Sequence, residues 1–65
     1  MDVKINQQPV SLPEGASIAD ALAAYGARPP YAVAVNGEHV ARARHSDYRL
    51  NVGDALDIVA PVAGG

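Results

Sequence analysis

The last two residues of the chain, Gly64 and Gly65, carry the sharpest chemical feature of the sequence. Because glycine has no side chain, an end of this kind can enter a channel that is too narrow for any other residue. Fully extended, the four residues after Pro61 span about 13 to 14 Å, at about 3.3–3.6 Å per residue. The terminal carboxylate is ionised at neutral pH. A carboxylate is a poor electrophile, so chemistry at this atom requires activation to a mixed anhydride, which ATP-dependent adenylation would supply.

Two terminal glycines are also typical of a frayed end without function, because chain termini are usually poorly ordered. The feature therefore gains meaning only from the size of the chain and the order of its predicted elements. We expect residues 1–60 to form one domain and residues 61–65 to form a flexible tail.

The remaining polar residues offer no second site for catalysis. The chain has no cysteine, which excludes disulfides, zinc ribbons, iron–sulfur clusters and thiol nucleophiles. His39 and His45 are the only histidines, and they lack a carboxylate cluster at metal-ligand spacing, so we expect solvent-exposed rings and no metal site. No nucleophile, base and pocket can be assembled from these residues, and we predict that the chain is not an enzyme.

Charged and apolar side chains provide candidates for a partner interface. Arg42, Arg44 and Arg49 place three of the five basic residues within eight positions. A solvated loop is the simpler interpretation, and contact with an acidic patch on a partner is the functional one. Asp54 and Asp57 flank a turn and a strand, so we interpret them as a charged edge and not as a catalytic pair. The candidate interface residues are Val59, Val62, Ala63, Arg42, Arg44, Asp54 and Asp57.

Composition limits the class of protein. A chain of 65 residues buries only about 60% of the surface that its unfolded form exposes. Of its 32 apolar residues, 13 are Ala and 15 are Val, Ile or Leu, without Phe or Trp, so we predict a thin aliphatic core. No apolar run approaches the roughly 18 residues of a membrane span, and a net charge of −2 gives no general attraction to nucleic acid or anionic lipid. We expect a cytoplasmic protein with neither a nucleic-acid nor a membrane partner.

The elements that must position the chain end follow from local patterns in the first half. Alternation over residues 2–6 predicts a half-buried strand that turns at 7–9 and returns over 10–12. Ser17 and Asp20 have the spacing of a capping box, which predicts a helix over 18–25. Gly26 supplies the residue type that commonly ends a helix in left-handed geometry.

The second half predicts another hairpin and a last strand. Residues 31–35 are apolar at every position, which is typical of a strand that is covered on both faces or paired centrally. Asn36-Gly37 predicts a type I′ turn into a strand over 38–40, residues 41–50 lack periodicity and predict a connection, and residues 55–59 predict the last strand. One helix across a mixed sheet of four to five strands is an α+β arrangement, with the outline of a β-grasp, or ubiquitin-like, domain.

Several segments resemble the thiamin-pathway sulfur carrier proteins, the ThiS family of small ubiquitin-like domains. The resemblance spans the chain and rests on Val33-Ala34-Val35-Asn36-Gly37-Glu38, Gly53-Asp54, Ile58-Val59 and Val62-Ala63-Gly64-Gly65. It implies that Gly65 is adenylated by a ubiquitin-activating-like, ThiF-like adenylyltransferase that consumes ATP, with Gly64 giving access, and that the carrier binds no cofactor. It further implies a thiocarboxylate whose sulfur comes through a cysteine desulfurase and passes to a ThiG-like thiazole synthase.

Two alternatives remain open from the sequence. The ending is also similar to the small subunit of molybdopterin synthase, the sister MoaD family, which uses the same thiocarboxylate chemistry; the shorter chain and the absence of Phe from the last strand favour ThiS. The other alternative is a ubiquitin-like interaction module whose tail is never modified.

One departure from the ThiS pattern is Ala41, at a position where the family often has proline.

Overall fold

The computed structural model of the chain describes residues 1–59. Its elements are β1 (Asp2–Ile5), β2 (Gln8–Ser11), α1 (Ile18–Tyr25), β3 (Ala32–Val35), β4 (Glu38–Val40), a 3₁₀ turn (Arg42–Arg44) and β5 (Ala55–Val59). The predicted order of hairpin, helix, hairpin, connection and last strand is confirmed. The predicted boundary between a domain over 1–60 and a tail over 61–65 lies outside the described residues and stays a prediction.

Within residues 1–59, five strands form one mixed sheet in the order β2-β1-β5-β3-β4. The two hairpins are antiparallel, β5 is antiparallel to β3, and β5 is parallel to β1, with Ile5 opposite Leu56. Strand β5, the last strand of the described residues, therefore lies in the centre of the sheet. With α1 packed across one face, this is the β-grasp fold.

The core lies between α1 and one face of the sheet. Ile5 and Ile18 are fully buried, and Leu56 is 1% exposed. Burying each such side chain contributes about 1.5–3 kcal/mol. The buried apolar residues are all aliphatic, as predicted: Val3, Ile5, Leu12, Ala16, Ile18, Ala21, Leu22, Val33, Val35, Val40, Leu50 and Leu56.

Helix α1 has the bounds and the caps that the sequence predicts. The Ser17 hydroxyl accepts a hydrogen bond from the Asp20 N–H at 3.1 Å, and the Asp20 carboxylate accepts one from the Ser17 N–H at 2.9 Å. Gly26 ends the helix with a φ of 82°, a left-handed conformation that glycine adopts at no steric cost. No helix in the described part of the chain is long and apolar enough to cross a membrane.

The first hairpin turns earlier than predicted. Asn6 and Gln7 have positive φ values of 50° and 71°, and β2 already begins at Gln8 and includes Pro9. The prediction of a turn over 7–9 was wrong because Gln seldom adopts this conformation, and because the edge position of β2 tolerates a proline that lacks the N–H donor. The Asn36-Gly37 turn, with φ values of 52° and 85°, is confirmed.

Strand β3 decides between the two interpretations of residues 31–35. It pairs with β4 on one side and β5 on the other, but only one of its faces is covered. Val33 and Val35 are buried, Ala34 is half-buried and Ala32 is exposed. The unbroken apolar pattern thus reflects central pairing together with small residues on the outer face of the sheet.

The connection between β4 and β5 is more ordered than its lack of periodicity predicts. Leu50 is 3% exposed and joins the core, and Arg49 forms an isolated antiparallel bridge with Ser17. Ala41 has φ −61° and ψ 145°, which are values that proline would also adopt. Ala41 therefore keeps the backbone conformation that a proline at this position would favour.

Candidate functional site

The candidate site is the described end of β5, at Val59. Val59, the last described residue, lies opposite Ala32 of β3, and its side chain is 62% exposed. Leu56 and Ile58 face the core, whereas Asp57 and Val59 face outward, because successive side chains of a strand alternate. The sheet therefore presents an apolar side chain immediately before the segment that contains Gly64 and Gly65.

A shallow depression of about 320 Å³ lies beside this side chain. It is lined by Pro30, Tyr31, Ala32 and Val59. We name these four residues the exit patch. Of these residues, Ala32 and Val59 are exposed and lie opposite each other in the pairing of β3 with β5. Exposed apolar surface that is grouped in this way is typical of a site for protein contact.

The backbone of β5 is held near its end by the side chain of Asn6. Its Oδ1 accepts from the Ile58 N–H at 2.8 Å. Its Nδ2 donates to the Ile58 carbonyl at 3.3 Å and to the Tyr25 hydroxyl at 3.1 Å. Sequence reasoning missed this residue, although the strand pattern that ends at an Asn was a signal for a turn at that position.

The two predicted acidic interface residues lie in different settings. Asp54 is half-buried, and its carboxylate accepts from the Asn36 Nδ2 at 3.0 Å and from the Asn51 N–H at 2.8 Å. Asp57 is exposed on the outer face, opposite Ala34. Asp54 thus stabilises the turn before β5 and Asp57 remains accessible, while a partner contact of either residue stays a prediction.

The two predicted basic interface residues lie in the 3₁₀ turn and are exposed. The Arg44 guanidinium lies 5.8 Å from the centre of the Tyr48 ring, a cation–π arrangement. Arg42 lines a cleft of about 410 Å³ between α1 and the connection, with His45 and Tyr31 also in its wall. This cleft opens on the α1 side of the molecule, and a partner contact of either arginine stays a prediction.

His45 is buried, and the prediction of a solvent-exposed ring was wrong. It is 6% exposed, and its Nε2 lies 3.1 Å from the Val40 carbonyl oxygen. The ring stacks on Tyr31 at a centroid distance of 6.2 Å, and its backbone carbonyl accepts from the Ala19 N–H at 3.0 Å. The hydrogen bond compensates for the loss of water. The imidazole thus joins the connection to Val40 and Tyr31, and the backbone of His45 joins it to α1. His39 is exposed, as predicted.

Residues 1–59 contain no group of three or more His, Asp or Glu side chains that could hold a metal ion. The remaining predicted site residues, Val62, Ala63, Gly64 and Gly65, lie outside the described residues. The roles predicted for these four residues stay predictions.

Comparison with known proteins places this geometry in a family. No curated protein matches the chain significantly. The crystal structure of the thiamine biosynthesis protein ThiS from Geobacter metallireducens is 23% identical, covers 100% of both chains and superposes with a TM-score of 0.82, which establishes the shared fold. The model of the ThiS family matches residues 3–65. Because that match covers nearly the whole chain, the protein belongs to the ThiS family.

Proposed function

We propose that the protein is a sulfur carrier for thiamin biosynthesis, and that it carries the sulfur on the terminal carboxyl group of Gly65. The observation that carries this proposal is the extent of the ThiS family match, which runs from residue 3 through Gly64 and Gly65. A solved structure with the same fold is named as a thiamine biosynthesis protein. The central position of β5 and the exposed Val59 at its end support a body that is built to extend its C-terminus.

The chemistry begins with activation of the carboxylate. A Gly65 oxygen attacks the α-phosphorus of ATP that is bound by a ThiF-like adenylyltransferase, and pyrophosphate leaves. The acyl adenylate is attacked by the persulfide sulfur that a cysteine desulfurase supplies: the C–S bond forms and AMP leaves. A thiol reductant then cleaves the S–S bond, which leaves the thiocarboxylate on Gly65 and returns the sulfur donor as a thiol. The carrier contributes the acyl group, binds no cofactor and is not an enzyme, since ATP is bound and consumed by its partner.

The outer face of the sheet around the exit patch is the proposed docking surface for the ThiF-like enzyme and for a ThiG-like thiazole synthase. Val59 and Ala32 provide exposed apolar contact there, and Asp57 provides a charge on the same face. Val62 and Ala63 would extend this contact along the tail. Because this contact would end at Ala63, docking on this face leaves Gly64 and Gly65 to enter a partner channel.

The proposal is tested by intact-mass measurement. The protein is incubated with a ThiF-like adenylyltransferase, ATP, cysteine, a cysteine desulfurase and a thiol reductant. We expect a mass increase that corresponds to one oxygen replaced by sulfur. Two variants serve as controls: one lacks Gly65, and the other carries one additional residue after Gly65. Both should fold and remain unmodified, because neither presents the natural terminal carboxyl group.

Absence of the mass increase, with a competent carrier loaded in a parallel reaction, refutes the proposal. A protein whose function survives the added residue would instead be an interaction module. The family match favours the thiamin pathway over the molybdopterin alternative, and transfer of the loaded sulfur to thiazole synthase, but not to the large subunit of molybdopterin synthase, distinguishes the two.

A further inference from the structure

Strand β5 pairs with β3 over four residues and with β1 over only two. On one side, β3 accompanies it as far as Val59. On the other side, the last residue pair with β1 is Ile5 and Leu56, followed by a hydrogen bond from the Asn6 N–H to the Leu56 carbonyl at 2.9 Å. Beyond this point β1 has turned away, and the Ile58 N–H and C=O would have no backbone partner on that side.

The Asn6 amide takes the place of the missing strand. A carboxamide has one acceptor and one donor group side by side, as a peptide unit does. Its Oδ1 and Nδ2 bond the Ile58 N–H and C=O at 2.8 and 3.3 Å, so β5 is held from both sides for two more residues. The Tyr25 hydroxyl, at the end of α1, accepts from the same Nδ2 at 3.1 Å and orients the amide.

We propose that Asn6, oriented by Tyr25, is a positioning residue for the terminal carboxyl group and acts through Ile58. It fixes the backbone of β5 at Ile58, and thereby the fraction of molecules whose terminal carboxyl group can enter a partner's channel. This inference rests on the proposed function. The apparent affinity for a partner falls in proportion to the fraction of competent molecules, whereas the rate after binding is unaffected.

The hairpin turns supply a matched pair of variants. Asn6 and Asn36 both have positive φ, 50° and 52°, and both use their amides on β5. Asn36 accepts from the Ala55 N–H at 3.0 Å, at the beginning of the strand and not at its end. Asn6→Gly and Asn36→Gly each retain a residue that adopts positive φ readily, and each removes one amide.

The first measurement is amide hydrogen exchange of the variants alone. We expect the Ile58 N–H to exchange at least about 5-fold faster in Asn6→Gly, which is the effect of losing one ordinary hydrogen bond. In Asn36→Gly the acceleration should fall on Ala55 and leave Ile58 unchanged. If Asn6 acted only by touching a partner directly, Ile58 exchange would be unaltered, and this result would overturn the inference.

The second measurement is steady-state loading by the ThiF-like adenylyltransferase, at a temperature at which all variants are folded. We expect Asn6→Gly to raise the KM for the carrier about 5-fold with kcat unchanged, and Asn36→Gly to leave both constants unchanged. Tyr25→Phe should raise KM in the same direction by a smaller factor. An unchanged KM in Asn6→Gly, or an equal rise in both glycine variants, contradicts a positioning role.

If Asn6→Gly does not fold, Asn6→Asp tests the positioning role instead. Aspartate tolerates positive φ and retains the acceptor for Ile58, but it lacks the donor for the Ile58 carbonyl and the Tyr25 hydroxyl. We expect a raised KM with kcat unchanged, and an unchanged KM overturns the inference. Failure of the wild-type chain to load at all would refute the proposed function, whereas normal loading of every variant would refute only the role of Asn6.

Discussion

Among single residues, Asp20 has the clearest electrostatic role in the body of the carrier. The backbone N–H of Ser17 donates to its carboxylate at 2.9 Å and is the main reason that the pKa of Asp20 lies below its ordinary value of 3.8. Hydrogen bonding to the Ser17 side chain and the nearby Arg49 charge lower the pKa further, and desolvation opposes them. Folding of α1 therefore favours the charged form of this side chain.

A pH-dependent contribution to stability follows from this pKa. Because the pKa is lower in the folded state, the contribution is fully present above pH 3.8, the ordinary value, and is lost as the pH falls through the lower folded-state value. Asp20→Asn should therefore be less stable than the wild type at neutral pH, and the difference should shrink in acid. Urea denaturation at a series of pH values measures it.

Asp57→Asn is the matched control for this series. Asp57 is exposed on the outer face of β5, opposite Ala34. We expect its substitution to leave the free energy of unfolding nearly unchanged at neutral pH. A wild-type to Asp20→Asn difference that stays constant from neutral pH into acid would contradict the role given to Asp20.

Among the secondary-structure elements, α1 ends at a residue whose contribution to stability depends on backbone conformation alone. Gly26 has a φ of 82°, and a Cβ added there would meet no atom within 4 Å. Gly26→Ala should therefore cost about 1–2 kcal/mol of unfolding free energy, which is the penalty of an L-residue in left-handed geometry. Chemical denaturation measures this loss, and no clash contributes to it.

Gly26→Asn provides the comparison, because Asn enters the left-handed region more readily than Ala. It should lose less stability than Gly26→Ala. Equal losses in the two variants, or none in either, would argue against backbone strain as the cause.

The same elements differ in how far the sequence predicts them. The bounds of α1 and the Asn36-Gly37 turn follow from residues within a few positions of one another, and both were predicted correctly. The Asn6-Gln7 turn was placed too late, because Gln7 gives no local signal for a positive φ of 71° and its conformation is imposed by the pairing of β1 with β2. The periodicity of the sequence does not predict the burial of His45, because that burial depends on contacts with Tyr31 and Val40.

At the scale of the whole molecule, the exit patch lies at the end of the central strand and carries the proposed docking surface. Val59→Ser should weaken binding to the proposed ThiF-like partner about ten-fold, because burial of a Val side chain contributes about 1.5 kcal/mol. Its effect on stability should stay within about 0.5 kcal/mol, as is usual for exposed positions. Titration calorimetry with the purified partner measures the affinity.

Val52→Ser is the control, since Val52 is 73% exposed in the turn before β5 and lies outside the exit patch. It should bind the partner as the wild type does. If both valine variants bind equally well, or lose affinity equally, the docking surface does not lie at the exit patch.

The sequence by itself determined what depends on neighbours along the chain: the caps of α1, the second hairpin, the aliphatic core and the chemistry available to an end without side chains or thiols. Only the tertiary structure decided the central position of β5, the burial of His45 and the hydrogen bonds between Asn6 and Ile58. Asn6 and Ile58 are 52 positions apart, and no local pattern encodes a contact that forms only after β1 and β5 pair. The physical reason is that hydrogen bonds of this kind depend on which strands become neighbours, and burial of the core decides that pairing.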